Sequence, residues 1–107
     1  MNVEINIATD FSRTPGARYK TDGDFSGQEF FEEILERNFL SIKDSSYKLI
    51  VNLDDTDGYA TSFLDETFGG LARKYGKELV LNKIEFISHE EPYLIEEIKS
   101  YMNEKSN

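Results

Sequence analysis

Leu49–Gly70 reads LIVNLDDTDGYATSFLDETFGG, and its order decides the fold. An apolar run leads directly into Asp54, Asp55 and Asp57. Thr61 and Ser62 follow, and from there apolar residues recur at helical spacing. A strand that empties into a polar loop and then a helix is the unit of an α/β fold. In such folds, ligand sites and switches gather outside the carboxyl ends of the strands.

Working outward, Tyr47–Leu53 is almost continuously apolar, which predicts a central strand buried on both faces. Upstream, Val3, Ile5 and Ile7 alternate with polar residues and predict a first strand. Thr14-Pro15-Gly16 is a turn signal, Ala17–Thr21 is expected to pair back as a second strand, and Asp22-Gly23 turns the chain again. Ser26-Gly27-Gln28-Glu29 fits a capping box, so a helix should run to about Leu40, with Phe31, Ile34, Leu35 and Phe39 on one stripe. Glu29, Glu32 and Glu33 stand near its start, where the helix dipole favours anions.

Downstream, a second helix is expected from about Ser62 to Tyr75. Leu64, Phe68, Leu71, Ala72 and Tyr75 would face the core, and Gly76 is the natural stop. Leu79–Leu81 fits either a turn of helix or an early strand. Ile84–Ser88 alternates as a last strand. Pro92 can start a third helix, made amphipathic by Leu94, Ile98, Tyr101 and Met102. The expected architecture is therefore a single α/β domain over residues 1–104. Its mixed sheet would have about four strands with an N-terminal hairpin, covered by three α-helices. Residues 105–107 read as a frayed tail.

The chain has 107 residues, 38% of them hydrophobic, enough for one domain with a core. It has no cysteine, which excludes disulfides and thiolate metal sites. A net charge of −9 argues against a binder of the phosphate backbone of nucleic acids. No leader-like N-terminus or spanning apolar run stands out, so a cytoplasmic protein without membrane association is expected.

Asp54, Asp55 and Asp57 at the end of a central strand are candidates for Mg²⁺ binding or for phosphoryl transfer through an aspartyl nucleophile. Their spacing departs from the Asp-x-Asp-x-Asp-Gly run of a calcium loop, and solvated turn residues before Gly58 have the same appearance. Thr61 and Ser62 combine two readings. Ser62 with Asp65 matches a short capping box, and either hydroxyl is a phosphorylation candidate at a helix end that favours anions. Gly69-Gly70 inside a helix costs about 1 kcal/mol per glycine relative to alanine, so close packing or a partner near the backbone should compensate. His89 is the only histidine, which excludes a His-based metal cluster; no pattern ties it to Ser62 as a triad. Arg18 is expected on the edge hairpin, exposed, paired with the aspartates or binding an anion.

GARYKTDGDFSGQEF and LIVNLDDTDGYATSFLDETFGGLARKYG, taken in order, resemble the STAS-like domain family of unknown function. The similarity runs from about Gly16 to beyond Tyr75, and Ile84–Ile98 matches the family's trailing strand and helix more loosely. That family is in turn similar to STAS domains such as the anti-sigma factor antagonists. In those, a serine at the start of the second helix is phosphorylated by a partner kinase, and the phosphate blocks binding to that partner. The resemblance implies a small α/β domain with a mixed sheet, no cofactor, and Ser62 at the switch position with Thr61 just before it. The usual Asp-Ser-Ser-Gly is replaced here by Ala60-Thr61-Ser62-Phe63.

Together these features point to a non-enzymatic, regulatory protein-interaction module. Asp54, Asp55, Asp57, Tyr59, Phe63 and Glu66 are expected at the partner surface, and the resemblance suggests an ATP-binding, histidine-kinase-like partner. The alternative is a small Mg²⁺-dependent phosphoryl-transfer or hydrolytic enzyme built on the three aspartates. A homodimer through the edge strand of the hairpin is a third expectation.

Overall fold

Val3–Asn6 forms β1, Leu49–Asn52 forms β2 and Ile84–Ile87 forms β3 in a computed structural model that describes residues 1–104. The expected tail at 105–107 lies outside the described residues. The three strands make one sheet in the order β1-β2-β3, and both pairings are parallel. Helix α1 (Ile7–Asp10) leaves β1 directly, and α2 (27–42) fills the first crossover. Helices α3 (61–75) and α4 (Lys77–Lys83) fill the second, and α5 (Tyr93–Met102) follows β3.

The expected mixed sheet of about four strands, the N-terminal hairpin and the count of three helices do not match this arrangement: without the hairpin no antiparallel pair forms, and the sheet is wholly parallel. Ala17–Thr21 is loop, entering a 3₁₀ turn at Lys20–Asp22. The physical reason is where its polar groups go. The Ala17 and Arg18 carbonyls accept from Gly27 and Gln28 at 2.8 and 2.9 Å, so the segment caps α2 instead of joining the sheet. β1 also stops at Asn6, because the Asn6 side chain accepts from the Thr9 amide at 3.2 Å and starts α1.

β2 is buried on one face only. Leu49 and Val51 are buried, whereas Ile50 and Asn52 are half-buried. The register explains the apolar run. Ile5, Val51 and Phe86 share a row on the core face, and Glu4, Ile50 and Glu85 share one on the other. The core lies between the first face and the helices, with Phe30, Phe39, Phe63 and Phe68 fully buried. Lys83, almost buried, donates its Nζ to the Ser45 and Tyr47 carbonyls and so fixes the turn that feeds β2.

The two long helices each contain a wide π turn, Phe31–Leu35 in α2 and Asp65–Gly69 in α3. Side chains take up carbonyls near them: Asn38 donates to the Ile34 carbonyl at 2.7 Å, and Thr67 donates to that of Phe63 at 2.8 Å. Gly27 lets α2 meet α3 closely, since a Cβ there would stand 3.1 Å from the Phe63 carbonyl oxygen. Gly69 has a similar reason. A Cβ there would come within 2.8 Å of the Asp65 carboxylate and 3.4 Å of Tyr101 on α5.

Candidate functional site

The loop from Leu53 to Ala60 joins β2 to α3 at the carboxyl end of the sheet, where its three aspartates take separate roles. Asp54 is buried, and Oδ1 accepts from the His89 and Glu90 amides at 2.9 and 3.0 Å. It thereby ties the exit of β2 to the turn after β3. Asp55 is exposed with a φ of 73°, and its amide donates to Glu90 Oε1 at 2.8 Å. Asp57 is exposed, and its amide donates to the Arg13 carbonyl at 2.8 Å. Among the described residues, no group of three His, Cys, Asp or Glu side chains is arranged to hold a metal ion.

Tyr59 closes the loop from the inside. Its hydroxyl donates to the Leu53 carbonyl at 2.8 Å. Burial pushes the phenol up to about 12; a hydrogen bond with Thr56 opposes the rise, and the charges of Asp54, Glu91 and Glu90 reinforce it. Phe63 packs beneath Tyr59, ring centroids 5.9 Å apart, and is fully buried, so it belongs to the core.

Helix α3 starts differently from the expected capping box. Ala60, extended at φ −69° and ψ 143°, is the N-cap, and no side chain caps the first turn. Ser62 lies within that turn, half-buried, and Thr61 beside it is exposed. Burial of Phe63 and Leu64, against the close approach of Gly27, sets the rotation of the helix, which places both hydroxyls inside its first turn. Asp65 is used elsewhere. It receives Arg18 Nη1 at 2.8 Å and Arg73 Nη1 at 3.0 Å. Burial works to raise the Asp65 carboxyl, but hydrogen bonds from Arg18 and Arg73, with their charges, hold it below the usual carboxylate range. Arg18 also reaches Glu66 Oε1 at 3.4 Å, which leaves Glu66 half-buried.

The parallel sheet and the strand–loop–helix unit make this a small α/β domain. A family model described as a STAS-like domain of unknown function matches residues 26–94, well over half of the chain. The chain belongs to that STAS-like family. The match begins at the cap of α2, takes in β2, α3 and β3, and ends in the first turn of α5. Comparison with curated proteins and with solved structures gave no match. Among the described residues, no helix is long and apolar enough to cross a membrane.

Sequence reasoning brought Asp54, Asp55, Asp57, Tyr59, Thr61 and Ser62 to one loop and helix start of this STAS-like domain, and the structure places them there. It did not separate buried Asp54 from exposed Asp55 and Asp57. It also missed Phe25, which is 39% exposed and held at a φ of 56°. Gly16 and Gly23 upstream of it were the available signal, since glycines punctuate turns and Gly16 packs against the Asp24 carbonyl.

Proposed function

We propose that this STAS-like domain is a non-enzymatic regulatory module that binds a protein partner through the loop 54–62 and the first turns of α3. The observation that carries the reading is the open start of α3. The helix begins at an alanine with no side-chain cap, beside the exposed hydroxyl of Thr61. Uncapped first-turn amides attract anionic groups. A phosphoryl group on Thr61 would add about −1.5 to −2 charges there, with exposed Asp55 and Asp57 in the adjoining loop. That change alters which partner surface the site tolerates. Ser62, half-buried, is the second acceptor. Similarity of the family to anti-sigma factor antagonists supports an ATP-binding, histidine-kinase-like protein as the partner. A cytoplasmic location is part of the same proposal.

The test is isolation of the partner with the full chain as bait, phosphosite mapping, and titration of the purified partner. Thr61→Asp is expected to weaken binding about tenfold, equivalent to about 1.4 kcal/mol, with Thr61→Ala close to the parent. Ser62→Asp is the parallel arm. Unchanged affinity in both aspartate variants would remove the switch from the reading.

A further inference from the structure

The two non-glycine residues with positive φ among those described are Phe25, in the loop that leads into α2, and Asp55, in the loop that leads into α3. For Asp55 this conformation is common; for an aromatic residue it is an outlier that the surroundings must enforce. The Phe25 carbonyl accepts from the Gly16 amide at 2.8 Å, and Gly16 is so close that a Cβ would stand 2.4 Å from the Asp24 carbonyl oxygen. The loop is thus locked, and what it holds outward is a phenyl ring.

That ring heads a row of aromatic contacts that passes through the core. Phe25 meets the half-buried Phe11 edge to face, ring centroids 5.6 Å apart. Phe11 packs on the fully buried Phe63, and Phe63 on the half-buried Tyr59, so Phe11 and Tyr59 are the partly exposed ends on either side of a core ring. The surrounding charge is one-sided. Asp24, Asp55, Asp57 and Glu90 are exposed, and none of the seven ion pairs among the described residues involves them. Of the cations between Phe11 and Phe25, Arg18 is paired with Asp65 and Glu66 and Lys20 with Glu32, which leaves Arg13, whose carbonyl accepts from the Asp57 amide, outside those seven pairs.

We infer that Phe25, Phe11 and Tyr59 form the docking surface for a basic segment of a partner protein. An apolar side chain of that segment rests on Phe25, and its Lys or Arg side chains meet the unpaired carboxylates. Aromatic anchors ringed by complementary charge are the usual source of binding energy at such interfaces, and arginine also stacks on aromatic faces. The inference rests on the interaction reading above and names the chemistry of its partner.

The test is selection of short random peptides displayed on phage against the full chain, followed by titration of synthetic copies monitored by amide resonances. Enriched sequences are expected to carry an apolar residue flanked by Lys or Arg, to shift the resonances of Phe25, Tyr59 and Asp57, and to bind more weakly as salt rises. Phe25→Gly removes the ring and suits the left-handed backbone, so the fold is kept. It should weaken binding about tenfold or more, whereas Phe25→Tyr should keep most of it. Selected peptides without basic residues, shifts confined to another surface, affinity unchanged in Phe25→Gly, or a selection that enriches nothing overturns the inference. Those outcomes leave the Thr61→Asp result with the isolated partner standing on its own, so the two failures are distinguishable.

Discussion

Helices α2 and α3 begin side by side and in opposite states of completion. At α2, Ser26 Oγ accepts from the Glu29 amide at 3.1 Å, and the Ala17 and Arg18 carbonyls take the amides of Gly27 and Gln28. Ser26 is fully buried under this loop. At α3, the Phe63 amide reaches back to the Ala60 carbonyl at 3.1 Å, and no side chain contributes. A helix end costs unsatisfied donors wherever it is not capped or wetted. The closed end serves stability, and the open end leaves its first amides without a side-chain partner. The hydroxyl residues are similar at the two ends; what differs is the loop laid over one of them.

The largest effect should separate the two ends. Ser26→Ala is expected to lower stability by about 1–2 kcal/mol, since a cap is lost at a buried site. Ser62→Ala should stay within about 0.5 kcal/mol, as for a helix residue that caps nothing. Urea unfolding of both variants measures this, and a Ser62→Ala cost equal to that of Ser26→Ala would break the contrast.

Completing the open end comes next in size. Ala60→Asp supplies the missing cap and places a charge favoured by the helix dipole, so it should raise stability by about 0.5–1 kcal/mol. If the midpoint of unfolding does not rise, the first turn of α3 is already satisfied in solution.

The element sequence of β2, α3, β3 and α5 was legible because an apolar run marks β2, apolar residues recur at strand or helix spacing in the others, and Gly76 and Pro92 punctuate them. Legibility ended where long-range contacts decide. Tyr47–Leu53 looked buried on both faces, yet Ile50 lies in a row with Glu4 and Glu85, and neither of those is near it in sequence. The segment 17–21 had strand-like residues, but the orphan amides of α2 claimed its carbonyls. At the site, Ser62-x-x-Asp65 spelled a capping box. Arg18 and Arg73 took Asp65 instead, and burial of Phe63 set the helix start two residues earlier than a Ser62 cap requires.

Arg18 joins the two ends, and its effect should be the smallest. Its carbonyl caps α2 while its guanidinium holds Asp65 on α3. The Asp65 carboxyl sits lower in the folded chain than in the unfolded one, where aspartate titrates near about 3.9. Its contribution to stability is therefore present above about pH 4 and fades as the pH falls through the lower folded value. Arg18→Met removes the charge and keeps the carbonyl, so the cap of α2 survives and part of the hold on Asp65 goes. At pH 7 the variant should lose about 0.5 kcal/mol, the scale of a partly exposed ion pair. Urea unfolding at pH 7 and near pH 3 should show a smaller loss on acidification in Arg18→Met than in the parent. Parallel losses would mean that Arg18 stabilises α2 alone and that the two helix starts are independent.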